Sequence, residues 1–199
     1  MEQHLEAWQH AFRRFNAIVK ESDFYQLEGR GVRSVVEILT KKYGIEIKFR
    51  PQLIEEKVNY YNNNFKPEFY EGLYSLLDLL KMQGLQMAVV TGGYRDRVSY
   101  IINNYFIDYF SAVVTSDDVK KTKPFPEPYL RAASLLGVKP QQCLVVENAP
   151  MGIQSAKRAG MEVIAITTTL TKDHLQEADF IADSFGGIEE HIKQIYISS

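Results

Sequence analysis

A chain of 199 residues can bury one good core, or one core with a small satellite domain. With 45% hydrophobic and 24% charged residues it has the balance of a soluble globular fold, and a net charge of −2 argues against broad nucleic-acid binding, which needs a basic footprint. No apolar run approaches the roughly 18 residues of a membrane helix; Met1-Glu2-Gln3-His4 lacks both parts of a signal peptide, and the lone Cys143 has no disulfide partner, so a cytoplasmic protein is expected, with neither nucleic acid nor membrane as partner.

Leu5, Trp8, Phe12, Phe15 and Val19 recur at three- and four-residue steps and predict a first amphipathic helix. Gly29-Arg30-Gly31 breaks the pattern. Val32, Val35, Val36 and Leu39 begin a second helix running into Lys41-Lys42-Tyr43, with Gly44 as its stop. A third runs from Pro51 to Tyr61 and ends at Asn62-Asn63-Asn64 and Pro67. Residues 1–66 thus read as a small all-helical unit, 67–199 as a second domain, and Asn62–Pro67 as the hinge between them.

From Phe69 onward helices and strands alternate. The expected helices are Tyr70–Met82, Tyr94–Asn104, Pro126–Leu136, Ala149–Ala159 and Ile188–Ile195. The expected strands are Gln86–Val90, Ala112–Thr115, Cys143–Val146, Glu162–Ile166 and Phe180–Ala182. Short Val- and Ile-rich strands separated by helices imply an α/β fold whose parallel sheet is covered on both faces. Cys143, opening an apolar strand, reads as a buried structural thiol.

Ligands of open parallel sheets bind beyond the carboxyl ends of the strands. Polar residues of three kinds stand at such ends. Thr91, with the amides of Gly92 and Gly93 before a helix, forms an anion cradle or an ordinary capped turn. Lys123 precedes three prolines in Pro124-Phe125-Pro126-Glu127-Pro128, so its ammonium leaves a stiff platform, although loops also favour solvated lysines such as Lys120 and Lys121. Glu147-Asn148 closes an apolar strand and presents oxygen donors of the kind magnesium takes, while Asn148 also suits a helix N-cap. Asp117-Asp118 reads as a loop and capping pair, and His4, His10, His174 and His191, which show no ligand spacing, as surface residues.

Order and spacing give the trio its meaning. The stretches Val89-Val90-Thr91-Gly92-Gly93, Thr122-Lys123-Pro124-Phe125-Pro126-Glu127-Pro128-Tyr129 and Leu144-Val145-Val146-Glu147-Asn148-Ala149-Pro150-Met151-Gly152 resemble three motifs of the haloacid dehalogenase-like (HAD) hydrolases, in the phosphatase and β-phosphoglucomutase-like branch. Ala156-Lys157-Arg158-Ala159-Gly160-Met161 and the cap-like Glu28-Gly29-Arg30 extend the likeness over nearly the whole chain. The resemblance implies a Rossmann-like parallel-sheet core (67–199) under a small helical cap (1–66). It implies that Thr91 and Gly92 bind a phosphoryl group, that Lys123 steadies phosphate and nucleophile as a catalytic residue, and that Glu147 and Asn148 hold Mg2+. Asn148 stands where the family has Asp. Arg30 and Arg33, after the Gly29 turn, are the candidate substrate contacts of the cap, and the expected partner is a small phosphorylated metabolite.

The family opens with a strand ending in D-x-D, whose first Asp is the nucleophile and whose second is the general acid and base. No D-x-D precedes the trio or occurs elsewhere in the sequence. In the family that strand lies between those ending at Thr91 and Glu147, so the expectation is a sheet lacking its central strand, either closed up or holding an open slot. Two functions follow. One is a Mg-dependent phosphatase or phosphosugar mutase whose start lies one strand too late, inert as written. The alternative is a non-catalytic phosphate-binding or interaction module that takes a strand from a partner.

Overall fold

The structure, a computed structural model, describes residues 2–197. Four helices come first: α1 (Glu2–Arg13), α2 (Glu21–Tyr25), α3 (Val32–Lys42) and α4 (Arg50–Asn64). Then follow α5 (Leu73–Met82), β1 (Ala88–Val90), α6 (Arg95–Tyr105), β2 (Ala112–Val114), α7 (Glu127–Leu136), β3 (Leu144–Glu147) and α8 (Pro150–Arg158). The chain ends with β4 (Glu162–Ile166), β5 (Phe180–Ala182), α9 (Phe185–Ile192) and a π-helical turn at Lys193–Ile197.

The first helix stops short of Phe15 and Val19, which the apolar spacing had placed on it. Phe15 N–H bonds back to Phe12 O at 3.0 Å, and Asn16 takes a left-handed φ of 54°, a conformation asparagine tolerates. The reversal brings Val19 back, fully buried, into the cluster of Leu5, Trp8, Phe12, Leu39 and Leu53. Sequence spacing cannot tell a continuing helix from a chain that doubles back onto the same core. At the other end of this unit α4 runs through Asn64 rather than ending at Tyr61, with Asn64 Nδ2 donating to Tyr60 O at 2.7 Å. Helix α9 begins before Ile188, because the Ser184 hydroxyl accepts from Gly187 N at 3.1 Å and caps the turn.

Strand β4 shows how the second half is layered. Val163 and Ala165 point into a cluster with Tyr129, Ile153 and Ala156 of α7 and α8. Ile164 and Ile166 point the other way, onto Leu76, Ile188 and Ile192 of α5 and α9. Successive side chains of a strand face opposite sides, so an unbroken apolar run is the mark of a strand covered twice.

All pairings are parallel, yet they form two sheets: β1 with β2, and β3–β4–β5. Among the described residues no strand pairs with the second edge of β1 or of β3. The sheet has not closed up. Val89 and Val90 stay half-buried and Val146 is 39% exposed, although their sequence is that of a buried strand. Cys143 is likewise only half-buried.

Candidate functional site

One side chain joins the carboxyl ends of β1 and β3. Lys123, 6% exposed, donates from Nζ to Val90 O at 3.2 Å and to the carboxylate of Glu147, itself 8% exposed. Oε1 of Glu147 also accepts from the Tyr129 hydroxyl at 2.9 Å, and Oε2 accepts from the amides of Asn148 (2.9 Å) and Ala149 (3.0 Å). An ionised carboxylate offers about four lone-pair sites, and these bonds fill them. Burial pushes the Glu147 carboxyl up, but the Lys123 charge and hydrogen bond, with the Ala149 amide and Tyr129, outweigh it and hold the pKa below the usual range. The same contact works in reverse on Tyr129, whose hydroxyl is raised well above its ordinary value by burial and by the Glu147 charge. Gly152 makes room for all this: a methyl there would land on the Glu147 carboxylate.

Thr91 leaves β1 beside Lys123. Its hydroxyl accepts from Gly93 N at 3.1 Å, and its own N–H is held by Val114 O at 2.9 Å. A Cβ at Gly92 would stand 2.9 Å from Arg30 O, so the Gly92-Gly93 turn is where the N-terminal helical unit comes down onto the second half. Gly29 also approaches the second half, less tightly, at 3.3 Å from Ala149 Cβ by the same measure and 3.7 Å from the Lys123 stem. Asp117 accepts from Arg95 N at 3.0 Å at the start of α6, and Asp118 accepts from Thr115 N at 2.7 Å, so the pair caps and closes turns.

Asn148 turns its amide toward the helical unit, donating to Glu28 Oε1 at 2.8 Å and to Thr169 Oγ1 at 3.2 Å. Glu28 is 6% exposed, and its Oε2 has no partner among the described residues. Burial, with a smaller push from Glu147, raises its carboxyl to about 7 against the pull of the Asn148 and Thr169 hydrogen bonds. Arg30 lies beside it, with its guanidinium 3.3 Å from Met151 Sδ and its Nε buried without a partner. Arg33 stands exposed on α3 and does not line the cleft described below. The structure therefore gathers Thr91, Gly92, Lys123, Glu147, Asn148 and Arg30, and leaves Arg33 outside.

Sequence reading passed over the roles of Glu28 and Tyr129, both within stretches it had singled out, and misjudged His4. His4 stacks on Tyr61 at 4.1 Å and meets Lys57 Nζ at 3.1 Å, and burial with the charges of Lys57 and Arg97 holds its imidazole well below the usual pKa. Arg97 reaches across from α6 to lie 3.5 Å over the Tyr61 ring. A cleft of about 1720 Å³ takes in both this cationic cluster and the Lys123–Glu147 pair.

Among the described residues no three His, Cys, Asp or Glu side chains form a metal cage. Oxygen donors do converge at Asn148: Glu28 with one orphaned oxygen, Thr169, and Glu147 behind them. That set suits a hard cation that keeps several waters, as magnesium does. Glu147, with its lone pairs already taken, serves there mainly to hold Lys123 and the Asn148–Ala149 backbone.

A family model described as haloacid dehalogenase-like hydrolase matches residues 1–166. A validoxylamine A 7′-phosphate phosphatase from Streptomyces hygroscopicus subsp. limoneus is 38% identical over 112 residues, covering 56% of this chain and 53% of the relative. Hexitol phosphatase A of Escherichia coli is 36% identical over 113 residues, 57% of this chain and 52% of its own. The matches thus span about half the length of these relatives. A structure described as a beta-phosphoglucomutase from Bacteroides vulgatus superposes with a TM-score of 0.84 at 30% identity, covering 96% of this chain and 81% of that one.

Proposed function

Because the chain belongs to the haloacid dehalogenase-like hydrolases, we propose that its cleft binds a small phosphate ester for magnesium-assisted phosphoryl transfer. The observation that carries this reading is the buried Lys123 ammonium, fixed between the ends of β1 and β3 and beside the Thr91-Gly92-Gly93 turn. Thr91 offers a hydroxyl to a phosphoryl oxygen, and Lys123 a cation that needs no reorganisation as charge builds. Glu147 keeps that cation in place. Asn148, with the orphaned oxygen of Glu28 and the Thr169 hydroxyl, would hold the magnesium ion, which when bound neutralises phosphoryl charge. The helical unit acts as the cap, and Arg30 reaches the ester's leaving group. The activities named for the relatives, a validoxylamine A 7′-phosphate phosphatase and a hexitol phosphatase, favour a sugar or polyol phosphate.

Two buried carboxyl groups border the cleft with Lys123: Glu147, whose lone pairs are filled by its four hydrogen bonds, and Glu28, which burial raises to about 7 and so leaves only partly ionised at neutral pH. Neither is a ready nucleophile, so the chain alone binds esters but hardly turns them over. Calorimetric titration of the full chain with a panel of sugar and polyol phosphates, with and without Mg2+, tests this alongside a phosphate-release assay. Saturable binding that Mg2+ strengthens and Thr91→Val weakens is expected, with little release. Absence of binding at millimolar ester would overturn the site, and EDTA-sensitive turnover would overturn the inertness.

A further inference from the structure

We infer that the outer face of α7, with the Pro124-Phe125-Pro126 turn ahead of it, is a docking site for an acidic segment of another protein that offers large apolar side chains. Helix α7 is covered on its inner side, where Pro128, Tyr129, Ala132 and Ala133 are buried. A helix packed on one side ordinarily turns polar residues to water on the other. Here the outward positions are Leu130, Arg131, Ser134 and Leu135, so leucines stand in solvent beside the polar pair. Phe125 is exposed as well, and with Pro126 and Leu130 it walls a hollow of about 440 Å³. Single apolar residues on a surface need no explanation, but an apolar hollow rimmed by charged side chains marks an interaction site. None of these residues borders the cleft that holds Lys123, so the inference stands apart from the phosphate-ester reading.

The turn is a stiff platform. Phe125 stands between two prolines, whose rings fix their own φ. Its carbonyl accepts from the Ser155 hydroxyl, and that of Pro124 from Arg158 Nη1 at 2.9 Å, which ties the turn to α8 at two points. An aromatic side chain on a fixed backbone loses little freedom on binding, as an interface anchor should. Charge selects the occupant. Lys121 and Arg131 border the hollow, and Lys120 is exposed beside Lys121. The carboxylate there, Glu127, is turned onto the chain itself, accepting from Lys120 N at 2.8 Å and Lys121 N at 3.0 Å. Lys121 Nζ lies 5.2 Å over the Phe125 ring. Neither Lys121 nor Arg131 has an ion-pair partner among the described residues. Carboxylates spaced between Leu- or Phe-like side chains answer both features at once. A second copy of this chain is a poorer occupant, because a two-fold contact would set the same cations against each other. Nucleic acid is poorer too, since so few cations around an apolar hollow make no track for a phosphate backbone.

The test is selection from a random library of peptides of about twelve residues on the full chain, followed by fluorescence anisotropy of synthetic copies of those enriched. The enriched peptides are expected to carry acidic residues between large apolar ones and to bind less tightly as salt is raised. Leu130→Ser and Arg131→Glu should each weaken that binding about tenfold or more. Both side chains are exposed and lie outside the cleft, so the melting curve and ester binding should stay in place. A selection that enriches nothing, enriched peptides that are basic, or an affinity that neither substitution changes would overturn the inference. So would a single-stranded oligonucleotide or vesicles of anionic lipid binding this face more tightly than any peptide, or a dimer of the chain that Arg131→Glu dissolves.

Discussion

Lys123 and Glu147 are each buried, and each is the other's countercharge. Removing one partner leaves an uncompensated charge away from water, which typically costs about 3–5 kcal/mol. Lys123→Met is therefore expected to destabilise the chain by an amount of that order, and adding Glu147→Gln to it should restore part of the loss, because the stranded charge is gone. Urea unfolding at neutral pH measures both; a double variant as unstable as the sum of the two single ones would mean that the pair is not coupled. Gly152→Ala makes a sharper demand. Its methyl collides with a carboxylate pinned by Lys123, Tyr129 and two backbone amides, so the collision cannot be relieved by a simple swing of the side chain. The variant should lose stability by about 2 kcal/mol or more, together with ester binding. Gly186→Ala, whose Cβ would meet nothing nearer than 3.8 Å, serves as its control for helix α9.

Helices α1 and α4 enclose Lys57, which is 7% exposed and has His4 and the rings of Trp8 and Tyr61 as neighbours rather than a carboxylate. Burial, and then the charge of Arg97, lower its pKa from 10.5 to about 8. The unfolded chain therefore holds more protons than the folded one between those two values, and stability gained from this group rises with pH across that window. Lys57→Met is expected to raise stability at pH 7 by up to about 3 kcal/mol, reduced by the lost His4 contact, and the advantage should shrink by pH 9.5. A gap between variant and wild type that is equal at both pH values would count against a buried, strained cation. No sequence pattern announced this group. Lys57 sits in a helix legible from Pro51 and its apolar spacing, but its surroundings come from α1 and α6, which are distant in the chain. The same holds for the elements at large: runs such as Ala88-Val89-Val90 and Leu144-Val145-Val146 signal strands locally, whereas the reversal at Asn16 and the short helix α2 depend on a core assembled from several helices.

Across the whole molecule, the parts of the site carried on strand ends were legible, because a polar residue closing an apolar run marks the ligand side of a parallel sheet. What stayed hidden were the contacts between halves: Glu28 with Asn148, Arg30 with Met151, and Arg97 over Tyr61. These depend on how the helical unit seats on the second half, and Gly92 is the tightest point of that seating. An added Cβ would meet the Arg30 carbonyl oxygen at 2.9 Å, its carbon at 3.1 Å and Gly31 N at 3.3 Å, all backbone atoms that no rotamer change can move. Gly92→Ala should therefore lift the helical unit as a body, breaking the Glu28–Asn148 bond while the Leu5–Trp8–Leu53 cluster beneath it stays intact. Small-angle scattering should show a larger radius of gyration, and limited proteolysis should cut faster in the segment 65–72 that joins the halves. The Lys123–Glu147 pair lies wholly within the second half, so ester binding should weaken through loss of Arg30 rather than vanish. If radius and cleavage rate match the wild type, the backbone at Arg30 yields locally and the close approach at Gly92 does not govern closure.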